Sequence, residues 1–127
     1  MKYLDNSLLI GWVQYALCLS KADYEKEMKR LKVEEPSSFL IPGKPATTHF
    51  FHPKDNANTA VAIVCMDEIG DWDPIKIATL LVHEAVHIWQ YECELMGEEK
   101  PGEEIEAYSI QRISANLMRA YRDSLPT

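Results

Sequence analysis

Residues 73–97 read DPIKIATLLVHEAVHIWQYECELMG, and the way this stretch folds decides how the rest of the chain is arranged. Asp73 is a residue type that caps helix N-termini, and Pro74 suits a first helical position, where its missing N–H is no loss. Gly97 is the residue type that most readily takes the left-handed conformation at a helix C-terminus. A helix over Pro74–Met96 is predicted. Its middle, LLVHEAVHIWQ, is apolar except for His83, Glu84, His87 and Gln90. Polar groups buried without partners are costly, so these side chains either find protein partners or hold a metal.

His83 and His87 are i and i+4, so both imidazoles leave one face of the helix a single turn apart. That spacing lets two imidazoles share one small cation, and zinc suits nitrogen donors while leaving room for a third ligand and a water. Glu84 stands beside His83 without competing for coordination, placed to take a proton from a water that the metal activates. Leu81, Ala85, Val86 and Ile88 are uncharged, as a helix lying beneath such a site requires. The competing reading is two core histidines satisfied by backbone or carboxylate groups.

Working outward, Pro101 and Gly102 mark a loop, and a second helix runs from Glu103 to about Tyr121. Ala107, Ile110, Ile113, Leu117 and Tyr121 recur along it at helical spacing. Two long helices joined by a short loop pack as antiparallel or crossed neighbours. Upstream, Trp12–Leu19 reads as a buried strand, and Ser20 with Asp23 as the cap of a helix Lys21–Lys32. Glu34–Pro45, with Pro36, Pro42, Gly43 and Pro45, is a loop. Thr47–His52 and Ala60–Met66 are strand-forming and separated by the polar turn PKDNAN, which predicts a hairpin. The fold class is α+β: one domain over residues 1–127, with a small antiparallel or mixed sheet packed on the long histidine helix. The second, glutamate-bearing helix lies behind it.

The second helix offers the third ligand, because GEEIEAYSIQ holds Glu103, Glu104 and Glu106 near its start. Close helix approach favours a small residue one turn beyond a ligand, and Glu104 has Ala107 while Glu106 has Ser109. A glutamate-rich first turn also complements the helix dipole without any metal. Glu106 is the member on the Ile110, Ile113 and Leu117 side.

HEAVHIWQ followed by GEEIEAYSIQ resembles the zincin metallopeptidases of the gluzincin kind, with H-E-x-x-H on one helix and a glutamate on the next. It is also similar to small phage- or prophage-encoded proteins presumed to be metallopeptidases. The resemblance covers residues 74–122. It implies Zn2+ as cofactor, a peptide or protein substrate, and a sheet edge strand above the site, Thr47–His52 or Ala60–Met66. In several such families the ligand stands three residues before an alanine, which implies Glu104. The pattern of H-E-x-x-H, eighteen residues and Glu implies Glu106, since residues 88–105 fill that gap. Glu104 is taken as the third ligand, with Glu106 as the alternative. Many relatives carry Asp or Asn four residues after the ligand, where this chain has Tyr108 or Ile110. Support for the histidines then falls to Gln90, Glu103 or the unused glutamate. Tyr108, His49 and His52 are the candidates for stabilising an oxyanion. Trp89 and Tyr91 read as core and helix-packing residues.

The expected function is zinc-dependent hydrolysis of peptide bonds with Glu84 as general base. The alternative is a catalytically silent zinc-stabilised binding or regulatory domain, and a metal-free helical scaffold stands third. A chain of 127 residues with 46% apolar and 26% charged residues is an ordinary globular protein. Its net charge of −7 argues against nucleic acid or an anionic membrane as the main partner. Cys18, Cys65 and Cys93 form no CxxC pair and read as reduced thiols of a cytoplasmic protein. The apolar run Leu8–Leu19 resembles a signal-peptide core, but Asp5, Asn6 and Gln14 dilute it and no A-x-A site follows. No run reaches the roughly 18 apolar residues of a membrane span.

Overall fold

The structure is a computed structural model that describes residues 1–6, 13–52, 60–67 and 73–125. The elements run β1 (Val13–Cys18), α1 (Lys21–Arg30), β2 (Ala46–Phe51), β3 (Ala60–Met66), α2 (Pro74–Met96) and α3 (Glu103–Ser124). This is the α+β class expected, with a mixed three-stranded sheet in the order β1-β3-β2. β3 is central, parallel to β1 and antiparallel to β2. All seven of its residues are buried, which explains the unbroken apolar run AVAIVCM in place of an alternating pattern. The expected PKDNAN turn and residues 8–12 of the Leu8–Leu19 run lie outside the described residues.

The two faces of the sheet carry separate halves of the core. Val61, Ile63, Cys65 and Cys18 pack against Tyr24 and Met28 of α1. Ala60, Ala62, Val64, Met66 and Ala46 pack with Ile77, Leu81, Ala85, Ile88 and Trp89 of α2 and Ile113, Leu117 and Tyr121 of α3. The small side chains Ala46, Ala60 and Ala62 let α2 settle close to the sheet, and β2 is the strand whose Thr48 meets Glu84 of α2. β2 is also a sheet edge among the described residues, whereas β1 is flanked by a bridge from Tyr3 to Ala16. Of the two strands that the resemblance offers as edge, the N-terminal one holds that place and Ala60–Met66 is central.

α2 spans the predicted residues. The Asp73 carboxylate accepts from Ile75 N–H at 2.9 Å, and Gly97 closes the helix at φ 70°. Gly97 N–H reaches Glu94 C=O and Glu98 N–H reaches Cys93 C=O, the paired bonds of a Schellman motif. α1 stops at Arg30, two residues short of the expected Lys32. Lys32 itself takes φ 58° and makes the same kind of stop, with Val33 N–H on Met28 C=O. α3 runs on to Ser124, past the expected Tyr121. Its buried stripe is Ser109, Ile113, Ser114, Leu117 and Tyr121, while Ala107 is exposed. Among the described residues, no helix is long and apolar enough to cross a membrane.

Candidate metal centre

The central face of α2 meets the sheet, and its flank beside β2 carries His83 and His87. Both imidazoles are exposed, and their Nε2 atoms stand 3.2 Å apart with the rings edge to face. Two nitrogens bonded at about 2.0–2.1 Å to one tetrahedral zinc ion are separated by about 3.3 Å. The separation of the pair is close to the one that a shared zinc ion would impose. His87 is further fixed by Gln90, whose side-chain oxygen accepts from Nδ1–H at 3.2 Å. That bond assigns the proton of His87 to Nδ1 and leaves the Nε2 lone pair facing His83. Of the groups expected to support the histidines, Gln90 is the one within hydrogen-bond distance of His87.

Glu84 turns the other way. It is 5% exposed, held between α2 and β2, and its Oε2 accepts a hydrogen bond from the Thr48 hydroxyl. A buried carboxylate needs such a donor. β2 supplies it because Ala46, Thr48 and Phe50 alternate onto the face toward α2.

One turn beyond His87, Tyr91 continues the row. Its hydroxyl is 3.0 Å from His52 Nε2, and its ring lies 4.5 Å from that of Phe50. Burial first, and then the Glu94 carboxylate, push the Tyr91 phenol up, so its proton stays in place as a donor. Tyr91 thus meets Phe50 and His52 as a packing residue with a polar tip. Of the three groups considered for an oxyanion, His52 is the one on this side. His49 is buried on the α1 face of the sheet, 3.0 Å from Phe39 C=O. Tyr108 is 59% exposed on α3, beside Ile105 and Arg112.

α3 meets α2 on its other flank. Trp89 donates its indole N–H to Glu106 Oε2 at 2.9 Å, and the two residues share a small cavity with Gln90 and Cys93. Glu106 is half-buried there, whereas Glu103 and Glu104 are exposed in the first turn. α3 is rotated so that Glu106, the alternative to Glu104, faces α2 while Glu104 faces solvent. Trp89 follows His87 by two residues, about 200° around the helix, so Glu106 rests on the α3 side of α2. Among the described residues no group of three or more His, Cys, Asp or Glu side chains stands close enough to hold an ion. The structure brings His83, His87 and Gln90 into contact, sets Glu84 against Thr48 of β2, and holds Glu106 at the indole of Trp89. Sequence reasoning missed Thr48 and the pairing of His52 with Tyr91. The alternation in TTHFFH places Thr48 and Phe50 on one face, but nothing local to it names α2 as their neighbour.

Comparison with known protein families, with curated proteins and with solved structures gives no match for this chain.

Proposed function

We propose that this protein is a zinc-dependent hydrolase of peptide bonds, with His83, His87 and Glu106 as the metal ligands and Glu84 as the general base. The 3.2 Å separation of the two Nε2 atoms, with Glu84 buried on the adjoining side of the same helix, carries this reading. Glu106 fits as third donor because only one of its oxygens is held by Trp89. The indole N–H would remain as the outer hydrogen bond that orients a ligating carboxylate. Zinc bound here supplies Lewis-acid polarisation of a carbonyl and lowers the pKa of water at its open position to about 7. Glu84 receives the proton of the attacking water on Oε1, its oxygen not engaged by Thr48, and delivers it to the leaving amine nitrogen. An extended peptide lies along the outer edge of β2, hydrogen-bonded as a further strand, with Phe50 and Tyr91 offering apolar contact. We assign the protein to the cytoplasm on its three free thiols.

The second reading is a zinc-stabilised binding domain without hydrolytic activity. The observation that favours it is that, among the described residues, no third donor stands with the histidine pair. Elemental analysis of protein purified without chelator, then a peptide-library digest by wild type and Glu84→Gln, separates the two. The hydrolase binds about one zinc per chain, cleaves as wild type and loses at least about 100-fold in rate on substitution. Zinc binding without cleavage by either form supports the binding domain. Absence of zinc binding, even after zinc is added, rejects both.

A further inference from the structure

On the face of β2 that meets α2, Ala46 and Phe50 are apolar and Thr48 alone carries a hydroxyl. That hydroxyl donates to the carboxylate of Glu84, which is almost wholly buried. We propose that Thr48 is a positioning residue for the general base: it fixes the plane of the Glu84 carboxylate so that Oε1 faces the reacting water. The proposal rests on the hydrolase reading above.

The physical need is specific. The terminal torsion of a glutamate is broad, with roughly two-fold symmetry and no sharp preference of its own. A carboxylate held by one donor loses that freedom, and the oxygen that accepts from Thr48 is thereby distinguished from the oxygen left to take a proton. Preorganised orientation of this kind is realised in rate more than in substrate affinity. Because Thr48 belongs to the edge strand, the residue that aims the base also belongs to the strand along which the peptide would lie.

The test uses zinc-loaded full-length protein and a peptide that the wild type cleaves, with Thr48→Val, Thr48→Ser and the double variant Thr48→Val/Glu84→Gln. Valine keeps the shape of threonine and removes the donor. The expected result is a fall in kcat of about 10- to 100-fold for Thr48→Val, the loss that follows removal of a hydrogen bond to a charged group. KM and zinc affinity, the latter read against a chromogenic chelator, stay within about 3-fold, because neither depends on the carboxylate's aim. Serine restores most of kcat, and the double variant is no slower than Glu84→Gln alone. If valine fails to fold, Thr48→Ala makes the same comparison. A variant without the hydroxyl that keeps wild-type kcat overturns the proposal, as does additive loss in the double variant. A wild type that binds zinc and cleaves nothing overturns the hydrolase reading, and the role of Thr48 with it.

Discussion

The indole of Trp89 on α2 donates to the Glu106 carboxylate on α3 at 2.9 Å, tying the two long helices together across a small cleft. Gln90, next along α2, lines the same cleft and holds His87 through Nδ1. The histidine-bearing side and the helix–helix side of α2 are thus linked through adjacent residues.

That arrangement orders the two candidate ligands. Losing a direct ligand leaves two histidines to hold the ion, whereas losing an outer partner weakens affinity by about 10–100-fold. Glu106→Ala should therefore weaken zinc binding by more than about 100-fold, and exposed Glu104→Ala by less than about 3-fold. Competition against a chromogenic chelator measures both. The opposite order would return the role to Glu104, and two small effects would mean that neither carboxylate is a ligand.

Gln90 is the outer partner on the histidine side, and its removal frees the His87 ring to rotate and change tautomer. Gln90→Ala should weaken zinc affinity by about 10–100-fold and leave the folding midpoint nearly unchanged, since the side chain is exposed. Gln90→Glu, which still offers an oxygen to Nδ1–H, should recover most of the affinity. Equal affinities for wild type and Gln90→Ala would show that the 3.2 Å contact does not orient the ligand.

How much of this was readable beforehand depends on how local each signal is. α2 was legible to the residue because Asp73, Pro74 and Gly97 each act within one turn. α1 was over-read because Lys32 does at φ 58° the work that a glycine would have advertised. The partnership of β1 with β3 was not legible, since a parallel pairing joins segments separated by both α1 and β2. Which glutamate of α3 faces α2 was not legible for a related reason. The buried stripe of α3 includes Ser109 and Ser114, which do not look like core, while Ala107 looks like core and is exposed. The small shift in helix rotation that this hides is what separates Glu104 from Glu106.

Gly97 offers a check on the end of α2. A Cβ built there meets nothing within 4 Å, so the cost of Gly97→Ala comes from its φ of 70° alone. The loss should be about 1–2 kcal/mol in urea unfolding. Zinc affinity should hold, because the histidines lie more than two turns away. An alanine variant as stable as wild type would mean that the helix ends in some other conformation.

Acid sensitivity should concentrate on the far face of the sheet, at Glu27 of α1. Burial raises the pKa of this carboxyl, but hydrogen bonds from Arg30 and Tyr3 outweigh that, and the net shift is downward. Tyr3 O–H donates at 2.6 Å, and Arg30 Nε donates to the other oxygen at 2.6 Å. A carboxyl whose pKa is lower folded than unfolded adds stability above its unfolded value, about 4.3, and loses it as pH falls through the folded value. Glu27→Gln should therefore be less stable than wild type by about 1.5–3 kcal/mol at pH 7, the range for hydrogen bonds to a charged group. The difference should persist to about pH 5 and shrink below about pH 4 as the wild-type carboxyl protonates. Urea unfolding of both proteins from pH 7 to pH 3 reads this directly, and a gap of constant size across that range would show that the Glu27 charge contributes nothing to the fold.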